Sequence, residues 1–335
     1  MILDWEKAGL RAKVPCKVNL FLEVLGKRPD GFHEIDTVMM AVSLADEIQV
    51  TRRDDNQICL RMAFPDDAGV ALDEDDPAWR IPADQNNLIV RALDRLRTVL
   101  GKPNAGADVI LTKRIPAMAG LGGGSADCAA ALVLGTMLWQ KTFEIEPIVS
   151  VAKGLGSDIN FFIEANRNGF WLARCTGRGE IVEPLNCTKA LNLVIVHPPR
   201  GCGTKDVFDS LKKVGVGDES VRLSPDNLIH LLQTGDSLAI GRELFNRLEK
   251  PAMLTTEWIS SSRKQLDRYN HHGQSLSGSG SARFCLCESA EQAEKITREI
   301  KQQGKMRAFC TSSWQSPGID EQAREIFSRG SSEPT

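Results

Sequence analysis

The amino-acid sequence predicts a mixed α+β fold with two domains. Strand-like and helix-like segments follow one another without the regular alternation that a doubly wound parallel sheet requires. The chain of 335 residues is also long for a single hydrophobic core. A boundary is predicted in residues 184–191, which gives domains at 1–188 and 189–315, followed by a polar tail at 316–335 that we expect to fray.

The first third of the chain is predicted to consist mainly of strands. Residues 14–25 alternate loosely between apolar and polar side chains, so Lys17 and Asn19, two residues apart, share one face of a strand. A Pro-Asp-Gly turn comes next, and Phe32 and His33 follow it directly. Further strands are predicted at residues 37–44, 47–51 and 107–113, and a helix at residues 87–100.

The remaining chain mixes helices and strands. The acidic residues 73–76 lie in an aperiodic stretch, 64–84, which is predicted to be a solvated insertion. Ser289 and Gln292 form a capping pair and Gly304 is a stop signal, which together predict the bounds of one helix. Predicted helices are 125–139, 148–153, 289–303 and most of 200–270; predicted strands are 170–173, 181–182, 191–196, 282–287 and 306–310.

Composition and charge narrow the classes of function. Hydrophobic residues make up 42% of the chain and charged residues 25%, as in ordinary soluble globular proteins. The formal net charge of −3 gives no reason to expect a nucleic-acid partner. No apolar stretch is long enough for a membrane span, and the first residues lack the apolar core of a signal peptide. The nine cysteines form no C-x-x-C pair, which favours reduced thiols in the cytoplasm over a metal site.

One glycine-rich stretch, the glycine loop, stands between a predicted strand and a predicted helix. Its members are Pro116, Ala117, Met118, Ala119, Gly120, Leu121, Gly122, Gly123, Gly124, Ser125 and Ala126. Glycines without a Cβ can turn successive N–H groups into an anion-binding concavity, and the N-terminus of the next helix would face it. The stretch therefore predicts a phosphate site.

The alternative for this stretch is a tight strand-to-helix turn without a ligand. Four glycines within five positions, followed by Ser125 and a helix of small residues, favour the phosphate site. The stretch is not a Walker loop, because no Lys-Ser or Lys-Thr pair ends it. It also lacks the acidic residue about 20 positions on that a dinucleotide fingerprint requires.

Three segments stand in the order found in the GHMP kinases, the superfamily of galactokinase, homoserine kinase and mevalonate kinase. They are Pro-Cys-Lys-Val-Asn-Leu at 15–20, the glycine loop, and Ser-Leu-Ser-Gly-Ser-Gly-Ser at 275–281. The sequence therefore resembles this family. The resemblance implies a ribosomal-protein-like N-terminal domain and a ferredoxin-like C-terminal domain, with ATP and Mg²⁺ bound in the cleft between them.

The resemblance also implies a catalytic pair. Asp158 matches the catalytic aspartate of the family and would orient and deprotonate the accepting hydroxyl. Lys17 matches its lysine partner and would offset the charge on the transferring group. From the local sequence alone, Asp158 could instead be a helix N-cap and Lys17 an exposed strand lysine.

Further segments narrow the resemblance to a branch of the family whose substrate is a sugar alcohol linked to cytidine diphosphate, on the non-mevalonate route to isoprenoids. They are residues 28–33, 155–159, 204–208 and 244–249. The resemblance implies that His33 reads the cytosine edge while Phe32 and Phe208 stack on the base. It also implies that Thr204 and Asn19 contact the sugar alcohol.

Two alternatives stay open for the function. One is another small-molecule kinase of the family, acting on mevalonate or homoserine. The other is a non-catalytic nucleotide-binding relative, against which the intact Lys17 and Asp158 speak. The chain also departs from the narrower pattern, because Arg247 stands where the family usually has aspartate and Phe32 where it often has tyrosine.

Overall fold

The structure, a computed structural model, describes residues 1–6, 9–65, 78–214 and 222–330. These residues form two sheets with helices packed on them, so the predicted mixed α+β class is confirmed. Most of the predicted acidic insertion, residues 73–76 included, lies outside the described residues. No described helix combines the length and the apolar character that crossing a membrane would take.

The larger sheet is built around two long antiparallel strands, β2 and β3. Its strands are β1 (Ile2–Glu6), β2 (Gly9–Lys27), β3 (His33–Arg53), β4 (Ile58–Ala63), β5 (Gly106–Thr112), β6 (Leu172–Gly177), β7 (Ile181–Pro184) and β9 (Phe245–Asn246). The order is β1-β2-β3-β5-β4, with β6 beside β3, β7 beside β6 and β9 beside β2. The segments predicted as separate strands at 37–44 and 47–51 are parts of the single strand β3.

Helix α2 positions the glycine loop. The helices of this half are α1 (Leu88–Val99), α2 (Gly123–Gln140), α3 (Ile145–Ala152) and α4 (Asp158–Asn168). Helix α2 is buried on nearly all sides, because it packs on β2 and β3 and is covered by the other three helices. A helix that is apolar all round belongs in a core. Its first residue therefore has a fixed position beside β2.

The smaller sheet is antiparallel and lies in the second half of the chain. Its strands are β8 (Asn192–His197), β10 (Gly273–Leu276), β11 (Arg283–Cys287) and β12 (Arg307–Ser312), in the order β10-β11-β8-β12. Its helices are α5 (Thr204–Ser210), α6 (Asp226–Thr234), α7 (Ser237–Arg242), α8 (Glu249–Met253), α9 (Trp258–Leu266) and α10 (Ala290–Gln303). The predicted bounds of α10 are confirmed: Ser289 Oγ accepts from the Gln292 N–H, and Gly304 ends the helix with φ 66°.

Strand pairing helps to join the halves of the chain. Strand β9 pairs in parallel with β2, and Val42 of β3 forms an isolated bridge with Ser313. The larger sheet therefore contains a strand from beyond residue 188. The predicted domain bounds, 1–188 and 189–315, stay a prediction.

The sequence predicts a polar, fraying tail at 316–335, and this prediction is wrong for residues 319–330. These residues form helix α11 (Ile319–Gly330), in which Ile319 and Ala323 are buried. The helix packs against β1 and α4, and the Leu3 N–H donates to Gln322 Oε1 at 2.7 Å. Burial of an apolar stripe stabilises the helix, as for any amphipathic surface helix. Residues 331–335 lie outside the described part of the chain.

Arg247 forms an ion pair that explains its departure from the family pattern. Its Nε and Nη2 atoms lie 2.7 and 2.5 Å from the two carboxylate oxygens of Glu23, whose side chain is 1% exposed. Glu23 also accepts from the N–H groups of Val24 and Leu223. Arg247 therefore compensates a carboxylate that is buried in β2, next to the β2–β9 pairing.

Replacing Arg247 with aspartate should destabilise the protein by about 3–5 kcal/mol, because a buried carboxylate loses its partner and gains a second negative charge beside it. Urea unfolding followed by circular dichroism measures the change. The double variant Arg247→Met/Glu23→Gln should recover most of the loss, since both charges are then absent. Wild-type stability of Arg247→Asp would contradict this role of the pair.

Candidate active site

The glycine loop has the backbone geometry that an anion site needs. Gly120 and Gly122 have φ of 74° and 70°, in the left-handed region that favours glycine. Gly122 is the N-cap of α2, and within the described structure no side chain caps this end. The Lys17 N–H donates to the Leu121 carbonyl at 2.9 Å, so β2 holds the loop in place. The first N–H groups of α2 are therefore left for a ligand.

The motif at 275–281 supports the glycine loop from the second half of the chain. Residues 277–281 form the turn between β10 and β11, which we name the serine–glycine loop. Ser277 Oγ donates to the Gly120 carbonyl at 2.9 Å, and the Ala282 N–H donates to the Ala119 carbonyl at 3.0 Å. A Cβ placed on Gly120 would lie 2.0 Å from the Ser277 carbonyl oxygen. The two loops therefore touch backbone to backbone.

Lys17 and Asp158 meet beside the glycine loop. Lys17 Nζ lies 3.5 Å from Asp158 Oδ2, with side chains 5% and 28% exposed. The ammonium also donates to Asn19 Oδ1 at 2.7 Å and to the Gly120 carbonyl at 3.0 Å. Asp158 is the first residue of α4, where the helix dipole favours a carboxylate. The pair thus joins β2, α4 and the phosphate site predicted from the sequence.

Asn19 supports Lys17 more directly than the sequence suggests. Besides accepting from Lys17, its amide donates to Thr37 Oγ1 at 2.8 Å, and Thr37 donates to the Phe21 carbonyl at 2.6 Å. Asn19 is 1% exposed. This chain of hydrogen bonds fixes the direction of the lysine side chain, while substrate contact by Asn19 stays a prediction.

A buried cluster that the sequence analysis missed lies beneath the glycine loop. Lys113 Nζ donates to both Asp46 and Asp127, the latter at 2.8 Å. Asp46 Oδ1 accepts from the N–H groups of Arg114 and Ile115 at 2.6 and 2.9 Å. Burial raises the pKa of Asp127 to about 8 against the opposing effect of Lys113. The cluster ties the end of β5 to α2 on either side of the loop.

The aromatic residues predicted to stack on a base each contact a neighbouring side chain. The rings of His33 and Phe208 stack with centroids 4.7 Å apart. The ring of Phe32 is 53% exposed, and the Arg178 guanidinium carbon lies 4.7 Å from its centroid. Burial, with a contribution from Lys27, lowers the pKa of His33, which favours the neutral form of its imidazole. A neutral imidazole has one donor and one acceptor nitrogen.

One cavity of about 1040 Å³ brings the predicted site residues together. It is lined by Lys17 and Asp158, by the glycine loop as far as Ser125, and by the residues predicted to bind the acceptor substrate, Asn19, Phe32, His33, Thr204 and Phe208. Ala126 is the exception among the predicted site residues, because it is buried within α2. Thr204 Oγ1 lies 2.9 Å from Ser279 Oγ, which places the serine–glycine loop at the cavity wall. Arg178 also lines the cavity and was not singled out from the sequence.

Comparison with known proteins places the chain in one family. The family model of the GHMP kinases N terminal domain matches residues 87–163, and that of the GHMP kinases C terminal matches residues 228–305. The chain is 35% identical to 4-diphosphocytidyl-2-C-methyl-D-erythritol kinase of Rhodopirellula baltica, over 83% of this chain and 87% of that protein. It is 33% identical to the protein of the same name from Pelotomaculum thermopropionicum, over 87% of this chain and 94% of that protein.

Solved structures agree with this placement. A crystal structure of 4-(cytidine 5′-diphospho)-2C-methyl-D-erythritol kinase superposes with a TM-score of 0.70 at 27% identity, covering 91% of this chain and 99% of that one. A homoserine kinase from Cytophaga hutchinsonii gives a TM-score of 0.66 at 20% identity, covering 95% of this chain and 98% of that one, which shows a shared fold. The fold is thus the one that the family resemblance implied, and the chain belongs to the GHMP kinases, a family of small-molecule kinases that use ATP as phosphate donor.

Proposed function

We propose that this protein transfers the γ-phosphoryl group of ATP to the 2-hydroxyl of 4-diphosphocytidyl-2-C-methyl-D-erythritol, a step in the non-mevalonate formation of isoprenoid precursors. The observation that carries the proposal is that the Lys17–Asp158 pair lines the same cavity as the glycine loop and the predicted base-binding residues. The glycine loop supplies the predicted phosphate site of this cavity, and Phe32, His33 and Phe208 supply its predicted base site. Relatives named as kinases of this compound, at 35% and 33% identity, support the choice of acceptor.

The glycine-loop end suits the phosphates of ATP. The uncapped N–H groups at the start of α2 would donate to phosphate oxygens. Gly124 leaves room for a phosphate, because even a Cβ placed on this residue would have its nearest neighbour 3.9 Å away. The described residues contain no group of three or more His, Cys, Asp or Glu side chains that could hold a metal ion alone. Mg²⁺ would bind mainly through the substrate phosphates, with the hydroxyl of Ser125 as a side-chain ligand, and would neutralise phosphate charge.

Asp158 is placed to accept the proton of the attacking hydroxyl. Its carboxylate is partly exposed to the cavity, and the ammonium of Lys17 lies on one side of it. Phosphoryl transfer requires an in-line nucleophile and compensated charge more than covalent chemistry. Asp158 would orient the hydroxyl and take its proton, while Lys17 would stabilise the charge that develops on the transferring group.

The predicted base site of the cavity suits cytosine. The neutral imidazole of His33 can donate to one atom of a cytosine edge and accept from the N4 amino group. Phe32 and Phe208 provide ring faces for stacking, although His33 already lies on one face of Phe208 and Arg178 on one face of Phe32. The base would therefore use the remaining faces or displace these neighbours.

The free thiols of all nine cysteines further support a cytoplasmic location.

The decisive experiment incubates the purified protein with ATP and separate acceptors, and follows ADP release and product mass. Phosphorylation of the cytidyl compound, and of neither mevalonate nor homoserine, is the expected result. Transfer to mevalonate or homoserine alone would identify a different kinase of the family. ATP binding without transfer to any acceptor would identify a non-catalytic relative.

Replacing His33 with alanine should raise KM for the cytidyl substrate by about tenfold, because one or two hydrogen bonds to the base are lost. KM for ATP should stay within twofold of wild type, since the glycine loop is untouched. Steady-state kinetics with each substrate varied in turn measures both constants. His230→Ala, an exposed position on α6, is the matched control. Equal changes in both KM values would place His33 outside the base site.

A further inference from the structure

The turn between β6 and β7 brings a cation into the cavity. Gly177 and Gly179, with φ of 74° and 106°, flank Arg178 and allow the sharp reversal. The Arg178 N–H donates to Glu180 Oε2 at 2.5 Å, and its guanidinium lies 3.6 Å from Glu180 Oε1. The arginine side chain is 28% exposed and lines the cavity. The turn therefore presents Arg178 in a defined direction.

The same turn lies beside the proposed catalytic carboxylate. A Cβ placed on Gly179 would lie 3.7 Å from Asp158 Oδ1, and Asn160 Nδ2 of α4 donates to the Glu180 carbonyl at 3.2 Å. On its other side, the guanidinium of Arg178 lies on the ring of Phe32. Arg178 thus stands between the Asp158 carboxylate and an aromatic residue of the proposed base site.

Two other cations near Asp158 and the glycine loop already have partners within the protein, and Lys27 and Lys205 also line the cavity. Lys17 contacts Asp158, Asn19 and the Gly120 carbonyl, and Lys113 is buried between two aspartates. A substrate that joins a cytidine to a sugar alcohol through a diphosphate must place this diphosphate between the base site and Asp158. Arg178 occupies that interval. A guanidinium can bind two phosphate oxygens at once and can stack on an aromatic ring at the same time.

We infer that Arg178 is a substrate-binding residue of this site, which contacts the diphosphate of the cytidyl substrate while it holds Phe32 in place. This inference rests on the proposed function, because the diphosphate belongs to the proposed acceptor. It adds a specificity element: acceptors without a diphosphate, such as mevalonate or homoserine, have no group to occupy Arg178.

The test compares Arg178→Met and Arg178→Lys with wild type and with Arg298→Met, an exposed position on α10. Arg178→Met should raise KM for the cytidyl substrate by about 10- to 100-fold, the loss expected for charge-assisted hydrogen bonds, and Arg178→Lys by less. KM for ATP should change by less than twofold in all variants. Arg298→Met should behave as wild type.

A binding measurement separates diphosphate contact from support of Phe32. In titration calorimetry, Arg178→Met should weaken the binding of cytidine 5′-diphosphate by about tenfold or more and that of cytidine by less than threefold. Equal losses for the two ligands, or an unchanged KM in an active enzyme, would overturn the inference and leave the proposed function standing. A wild-type protein that does not phosphorylate the cytidyl compound would overturn both.

Discussion

Replacing Asp158 with asparagine should lower kcat by about 10²- to 10⁴-fold, because the accepting hydroxyl loses the group that takes its proton. Asparagine has nearly the same shape and can keep the position at the start of α4. Asp158 is partly exposed, and Lys17, with which it forms an ion pair, retains hydrogen bonds to Asn19 and Gly120. Folding and the binding of both substrates should therefore be preserved. Single-turnover kinetics and calorimetric binding measure the two quantities separately.

A matched control exists in the same fold. Asp226 is also the first residue of a helix, α6, and is exposed, so Asp226→Asn removes the same charge from a helix N-terminus away from the cavity. Its kcat should equal that of wild type. If Asp158→Asn kept wild-type turnover, Asp158 would have no part in the chemistry, and if it lost ATP binding, Asp158 would act on the nucleotide instead.

The parts of the site that are local in sequence could be predicted from it. The strand period placed Lys17 and Asn19 on one face, and the structure shows their side chains hydrogen bonded to each other. The glycines before a run of small residues indicated a turn into a buried helix, and α2 begins at Gly123. In these cases the spacing of residues along one element determines the geometry.

The parts that depend on distant segments could not be predicted. Asp46 meets Lys113 across 67 positions and Arg178 meets Phe32 across strands that no local pattern pairs. Only the sheet order brings β3 beside both β5 and β6. Helix α11 could have been predicted from local sequence. Its apolar residues Ile319, Ala323 and Ile326 recur at helical spacing, but the polar composition of the segment obscured this pattern.

Arg247 shows why a departure from a family pattern needs its partner before it can be interpreted. In the sequence alone, an arginine in place of the usual aspartate is only a departure from the family pattern. In the structure it compensates Glu23, a residue 224 positions away on β2. Nothing near Arg247 in the sequence identifies that carboxylate.

Replacing Gly120 with alanine should lower kcat/KM for ATP by at least about 10²-fold, because the two loops that form the phosphate site can no longer pack. The added Cβ would lie 2.0 Å from the Ser277 carbonyl oxygen and 3.0 Å from backbone atoms of Gly280, so the serine–glycine loop must shift by about 1 Å or more. That shift also disturbs the Gly120 carbonyl, which accepts from Lys17 and Ser277.

Backbone strain alone does not account for this expected loss, and Gly304→Ala tests the point. Gly304 has a similar φ of 66°, ends α10 away from the cavity, and would offer a Cβ no neighbour within 4 Å. Its replacement should cost about 1–2 kcal/mol of stability from the left-handed backbone and leave KM for ATP unchanged. Gly120→Ala should lose stability for the same reason and should, in addition, have a raised KM for ATP and a lowered kcat. Steady-state kinetics at a temperature where both variants are folded measures the two constants. If the two variants had the same kinetics, contact between the loops would have no part in building the ATP site.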